Sequence, residues 1–341
     1  EEPPAAPIPA RTNAVVTEPD QAIASTPVPP GILAALSGLM IAVQARANGE
    51  LSHLLGNGVQ AALVSFGSGL VIIAVIAAFS PAIKEGARNL RGAVARKEIP
   101  TWTLFAGALG GSFVAVQTHI VPLIGVAIYS VASIAGQTAA SLIVDRIGLT
   151  GGGKKHITPR RIGAAFFTVF AVFISVFDRI DARNLSLFAV VLGCVAGAIV
   201  GVQRALNGQI NEHSHQSFTT SFLNFIMGTT FLVIFLAIAV ALGNTEIAPL
   251  PAGPWWIYTG GVIGVIYIAF TSLIVQHLGV LTFTLYSVGG QLVGSLLIDI
   301  YSPTQGVQVS AYLVTGIAMT YLGVIVGGVN NQQSRRRLSQ E

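Results

Sequence analysis

Two long stretches of this chain occur twice, at a nearly constant spacing. Val43-Gln44-Ala45-Arg46-Ala47-Asn48-Gly49 returns as Val202-Gln203-Arg204-Ala205-Leu206-Asn207-Gly208. Gly136-Gln137-Thr138-Ala139-Ala140-Ser141-Leu142-Ile143-Val144-Asp145 returns as Gly290-Gln291-Leu292-Val293-Gly294-Ser295-Leu296-Leu297-Ile298-Asp299. The offsets are 203 − 44 = 159 and 291 − 137 = 154, so a whole order of segments is duplicated. If each copy holds an odd number of membrane crossings, the copies must face opposite ways in the bilayer. Inverted repeats of this kind build secondary transporters, with the substrate site between the halves.

Hydropathy makes the membrane reading firm. Of the 341 residues, 52% are hydrophobic and 9% charged, whereas a soluble domain carries about 25% charged residues. Apolar runs of spanning length recur, a crossing needing about 20 helical residues at roughly 1.5 Å each. Strand-like alternation is absent, which argues against a β-barrel. The runs predict spans at 31–51, 59–80, 101–120, 122–147, 161–178, 185–208, 217–243, 254–276, 278–301 and 308–329. The expected fold is all-α, a polytopic membrane protein whose ten transmembrane helices form two inverted five-helix repeats, 31–178 and 185–330. Residues 1–30 hold eight prolines and no sustained apolar run, so they read as a disordered cytoplasmic tail. They lack the charged start and apolar stretch of a signal peptide, and the opening Glu1 reads as a trimmed or incomplete start. Residues 331–341 read as a basic cytoplasmic tail.

Lys and Arg accumulate on cytoplasmic loops. With ten spans, 15 of them fall on one side, against Arg46, Arg179 and Arg183 on the other. Both termini are therefore expected in the cytoplasm. The same asymmetry accounts for the net charge of +4, and no nucleic-acid partner is invoked. The single cysteine, Cys194, lies in an apolar run and cannot form an internal disulfide.

Polar residues inside the apolar runs are the candidates for function. Gln44 and Asn48 stand four residues apart on one helical face, and Gln203 and Asn207 repeat the arrangement. Unpaired amides in hydrocarbon cost several kcal/mol, so they face the bundle or water. They either line a substrate path or brace neighbouring helices. Ser133, Gln137, Ser141 and Asp145 form one stripe, and Ser287, Gln291, Ser295 and Asp299 form its copy. A four-residue step drifts only about 40° around a helix. These stripes point to a cavity wall, with Tyr129 and Tyr286 nearby. Asp145, Asp299 and Glu50 are candidates for coupling or gating, because an intramembrane carboxylate is a functional hypothesis and can carry a proton. Hydration at a helix end is the plainer reading for the aspartates, and an Arg46–Glu50 pair along one helix for the glutamate. Arg204 aligns with Ala45 and Arg46 with Ala205, so the halves differ in charge. Glycines at four-residue intervals (Gly193, Gly197, Gly201; Gly290, Gly294) suit close helix packing.

Other signals carry less. Gly148–Lys154 resembles a phosphate-binding loop, but Lys155 stands where Ser or Thr is needed and no β-strand precedes it. With no nucleotide cassette, energy is expected from an ion gradient. Glu212-His213-Ser214-His215 has no second ligand cluster, so no metal is expected. No Ser-His-Asp, zincin or paired-carboxylate arrangement is present, and the chain is read as a non-enzyme without cofactor. Trp102 and Trp255-Trp256 read as interfacial anchors.

Ala42–Leu51, Ala61–Phe66, Gly253-Pro254-Trp255-Trp256 and Gly290–Asp299 together resemble the YdcZ-like branch of the drug/metabolite transporter superfamily. The resemblance spans roughly 31–330. It implies ten helices in two inverted halves, and an inner-membrane exporter. In the wider superfamily the first, third, fourth, sixth, eighth and ninth helices surround a central cavity. Asn224-Phe225 departs from Ser65-Phe66 in the second half. The expected activity is secondary active export of a small organic solute by alternating access, with proton coupling as an option. A lipid flippase is the alternative, and a channel a third. The bilayer and the solute are the expected partners, and the protein is a monomer or homodimer.

Overall fold

The computed structural model describes residues 29–149, 157–179, 187–303 and 308–328, with the backbone alone for Asp145, Arg179 and residues 268–282 and 327–328. Most of the glycine-rich 148–154 loop and of both predicted tails lies outside the described residues. Among those described there is no β-strand. The α-helices are α1 (Pro30–Leu55), α2 (Gly58–Phe79), α3 (Pro81–Ala95), α4 (Ala106–Ile124), α5 (Val126–Ile147), α6 (Pro159–Ser175), α7 (Leu187–Ser214), α8 (Ser217–Ala241), α9 (Gly260–Tyr301) and α10 (Ala311–Gly328). A short 3₁₀ turn at Thr101–Phe105 leads into α4, and the apolar stretch Thr101–Ile124 is long enough to cross a membrane. Pro30–Leu55, Gly58–Phe79, Val126–Val144, Leu187–Ser214, Ser217–Ala241 and Phe283–Tyr301 also qualify by length and hydropathy. The shorter α10 is apolar over Ala311–Val326.

Local chemistry sets the helix ends. Proline opens α1, α3 and α6, where its missing N–H has no intrahelical partner to lose. α1 stops at Gly56, whose φ of 64° suits a glycine cap. The Asn57 side chain then accepts the Gln60 N–H at 3.0 Å to start α2. The break expected at Pro122 falls instead at Gly125, where φ is 83°. Pro122 sits in the last turn of α4, so its missing N–H removes one bond without stopping the helix.

α9 carries helical backbone through 42 residues, with no stop between the predicted spans 254–276 and 278–301. A straight helix of that length would extend about 63 Å. Yet Gln44 Nε2 donates to Gly260 O at 2.8 Å, and Arg46 Nη2 lies 3.4 Å from Ser302 Oγ. Both ends of α9 therefore meet the same turn of α1. The chain reverses between Gly264 and Tyr286, giving a first arm antiparallel to α1 and a second arm parallel to it.

Backbone contacts reveal the symmetry. A Cβ added at Gly38 of α1 would fall on Ser287 O of α9, and one at Gly290 would fall on Ala35 O. A Cβ at Gly197 of α7 would fall on Ser133 O of α5, and one at Gly136 on Cys194 O. The two sets correspond residue by residue: 197 − 38 and 194 − 35 are both 159, while 287 − 133 and 290 − 136 are both 154. A second reciprocal pair lies between α2 and α8. Gly69 abuts the Phe225 ring and Gly228 the Phe66 ring, with the ring centroids 5.4 Å apart. Here each residue meets the repeat counterpart of its neighbour, so the pseudo-twofold passes between α2 and α8. The relation inverts chain direction. Gly49, near the C-terminal end of α1, meets Val121, whereas Gly193, near the N-terminal end of α7, meets Ile120.

The central apolar core joins Ile120, Val126, Tyr129, Ala132, Val190 and Leu292 across α4, α5, α7 and α9. Each helical hairpin at the bundle ends has its own cover. α3 buries Leu90 and Ala93 against Leu206 and Ile210 of α7, and Thr219 Oγ1 donates to Ile83 O at 3.0 Å. On the α1–α2 hairpin the cover is an extended segment. Ala248 exchanges two hydrogen bonds with the Gln60 amide, at 2.6 and 3.0 Å. Gln60 and Thr219 are repeat counterparts, 219 − 60 = 159.

Candidate substrate cavity

The two polar stripes lie on the faces of α5 and α9 that carry the close glycine contacts. On α5, Ser133 is fully buried and Gln137 half-buried. Gln137 Nε2 donates to Ser133 Oγ at 3.1 Å, and Arg204 Nη1 of α7 donates to Gln137 Oε1 at 2.5 Å. The buried Tyr129 hydroxyl accepts from Gln117 Nε2 of α4 at 3.4 Å and lies near Ser133. Polar groups from α4, α5 and α7 thus converge. On α9, Ser287 and Gln291 are buried, and Ser37 Oγ lies 3.5 Å from Ser287 Oγ. Phe283 occupies the counterpart of Tyr129 and Ala45 that of Arg204, so these positions hold neither the phenol nor the charge.

The amide pairs sit on a different flank. Gln44 reaches the first arm of α9 at Gly260 O. Asn48 is fully buried against Gly260 and Ser65, and its side-chain oxygen and nitrogen have no hydrogen-bond partner. Gln203 Nε2 donates to Asn224 Oδ1 at 2.9 Å, while Asn224 Nδ2 donates to Asn207 Oδ1 and to Thr220 O, both at 2.8 Å. These contacts tie α1 to α9 and α7 to α8. Of these four amides, Asn48 is the one with buried side-chain atoms that lack a partner.

The carboxylates divide three ways. Glu50 pairs with Arg46 at 2.5 Å, and Arg46 lies 5.5 Å from the centre of the Trp256 ring. Beside this group is a cavity of about 340 Å³ lined by Arg46, Gly49, Glu50, His53, Pro122 and Pro303, among others. Asp299 is buried and accepts the Val126 and Ala127 N–H groups at 3.2 and 2.8 Å. Its oxygens satisfy buried N–H groups at the start of α5, which have no partner within the helix. The Asp145 side chain lies outside the described residues. Among the described residues no group of three His, Cys, Asp or Glu side chains is placed to hold a metal.

The chain matches, over residues 30–174 and 188–326, the family model described as "Putative inner membrane exporter, YdcZ". The protein belongs to the YdcZ family. The two matched segments correspond to the two repeats, and the family assignment makes the chain a multi-pass protein of the inner membrane in an exporter family. One solved crystal structure, described only as that of a protein, is similar with a TM-score of 0.51 at 13% identity, covering 89% of this chain and 96% of that one. At that identity the likeness concerns the fold alone. No curated protein matches the chain by sequence.

Sequence reading overlooked Gln117, and it saw Arg204 only as a mismatch between repeats. Gln117 could have been flagged as the single amide in the apolar run 101–120. Nothing in the linear sequence couples Arg204 to Gln137, 67 positions away.

Proposed function

We propose that this YdcZ-family protein is a secondary active transporter that exports a small organic solute by alternating access. The observation that carries this reading is the pair of reciprocal glycine contacts, α1 on α9 and α5 on α7, related by the pseudo-twofold. Backbones that touch through glycine present smooth, small surfaces with few interlocking side chains. Two such pairs, inverted in direction, can exchange tight and open packings as the halves rock, which is the movement that alternating access requires.

In this reading the protein crosses the membrane ten times, the arms of α9 counting separately, with both termini cytoplasmic. Ser133, Gln137, Ser287 and Gln291 line the solute path. Gln44, Asn48, Gln203 and Asn207 hold the helices that border it. Glu50, Asp145 and Asp299 are the groups through which a proton gradient could act. Glu50 is the foremost of them, because it borders a cavity and its partner Arg46 is shared with Trp256 and Ser302.

Purified protein reconstituted in liposomes tests the proposal. Solute movement is followed for a panel of organic acids, amines and neutral metabolites, with and without an imposed proton gradient. Flux of at least one class, falling at least about tenfold in Gln137→Ala and Gln291→Ala, is the expected result; losing a direct hydrogen bond to a buried polar group costs about 1–3 kcal/mol. Absence of flux from folded protein, or movement of lipid headgroups alone, overturns it.

A further inference from the structure

We infer that the transported solute is a small organic monocarboxylate and that Arg204 recognises its charge. The inference rests on the transport proposed above and names the class of cargo.

Arg204 continues the α5-facing stripe of α7. It stands three residues after Gly201, on the same helical face as Gly193, Gly197 and Gly201. Gly201 lies against the backbone of Gln137, which puts Gln137 about 4.5 Å nearer the middle of the bundle than the Arg204 backbone. The guanidinium nevertheless reaches Gln137 Oε1. Helical side chains tilt toward the helix N-terminus, and here that tilt carries the charge inward, away from the nearer end of α7.

The Arg204 guanidinium is exposed in the fold, so a solute can reach it. Arg46 pairs with Glu50, and Arg96 with Glu98. Arg204 has an amide oxygen for a partner, which neutralises no charge. Arg46 provides the contrast. It stands one position from the Arg204 register in the repeat, and it is matched by a carboxylate and an aromatic face. Among the described side chains no carboxylate pairs with Arg204.

The surroundings say more about the cargo. One guanidinium complements one negative charge, and its planar fork fits a carboxylate. Beyond Gln137 stand Ser133 and Tyr129, with Gln117 Oε1 and Ser130 Oγ buried and without partners. They offer hydrogen bonds to a polar substituent next to the carboxylate. The facing half supplies Phe283 and Ala45 at the equivalent places, which favours an apolar body on that side.

The test is ligand binding to the purified full chain, read by thermal unfolding and by equilibrium titration. Probes are matched sets of aliphatic and aromatic monocarboxylates, their primary amides, and amines of the same skeleton. Carboxylates are expected to bind, and amides and amines of equal size to bind at least tenfold more weakly. Arg204→Gln should weaken carboxylate binding at least tenfold and erase the preference over amides, while Arg204→Lys restores part of it. A merely structural arginine would lower the melting temperature without changing that preference. If Arg204→Gln does not fold, Arg204→Lys and Gln137→Leu carry the same comparison. Binding of amides or amines that is indifferent to Arg204 overturns this inference and leaves the transport proposal standing. Failure of every probe to bind or to cross a proteoliposome membrane overturns both.

Discussion

The α5–α7 pair and the α1–α9 pair are built alike in backbone and unlike in side chains. In both, two glycines bring a carbonyl of the partner helix to within the space a Cβ would fill, at positions related by the repeat. At positions matched by the repeat, the α5–α7 pair has Tyr129 and Arg204 where the α1–α9 pair has Phe283 and Ala45. The covers at the two ends diverge in the same way. An amphipathic helix closes the α7–α8 hairpin and an extended segment closes α1–α2, yet each attaches through the same repeat position, Thr219 or Gln60. Close backbone packing therefore constrains both halves equally, because adding even a methyl group forces helices apart. Side chains beside these contacts are under no such constraint, and there the halves differ in a phenol and a charge.

The comparison breaks most readily at the glycines. Gly38→Val and Gly197→Val each place side-chain carbon on a backbone oxygen that cannot turn away. Each is expected to cost about 3 kcal/mol or more, seen as loss of a single species in size-exclusion chromatography and a large fall in melting temperature. Equal effects support equivalent packing; tolerance of one and not the other shows that only one pair is closely held.

A smaller effect is expected where the halves already differ. Asn224→Ser installs the residue of the first repeat, Ser65, in the second. It removes the acceptor for Gln203 and the donor for Asn207, and should destabilise by about 2 kcal/mol in a chemical or thermal unfolding series. An unchanged midpoint would show that the amide network does not hold α7 to α8.

The smallest effect belongs to the cover helix. The Arg96 guanidinium, through its hydrogen bond to Glu98, holds that carboxyl below its ordinary range. A lowered folded-state pKa stabilises above the ordinary glutamate range and loses the contribution as pH falls through the lowered value. Both side chains are exposed, so solvent and salt screen the pair. Glu98→Gln should lower the melting temperature slightly at neutral pH and low salt, and not at all in acid. A difference that persists in acid would assign Glu98 a role other than charge pairing.

Much of the architecture was legible because its cause is linear. The two offsets announce duplication, and glycines four residues apart announce surfaces for close approach. The stripes Ser133–Gln137 and Ser287–Gln291 follow from helical periodicity. The break at Gly125 was missed because proline is the stronger sequence signal, while its effect depends on how many turns of helix remain. The spans 254–276 and 278–301 predict a break between them, yet helical backbone runs through it, and the reversal is evident only from where the two ends land on α1.

By itself the sequence determined a duplicated, apolar, helical chain with polar stripes in corresponding places, because hydropathy and periodicity act along the chain. The tertiary structure decided which glycine faces which carbonyl, that Asp299 caps the helix beginning at Val126, and that Arg204 is aimed at Gln137. Those pairings depend on distances between helices remote in sequence, and such distances are set only when the whole bundle packs.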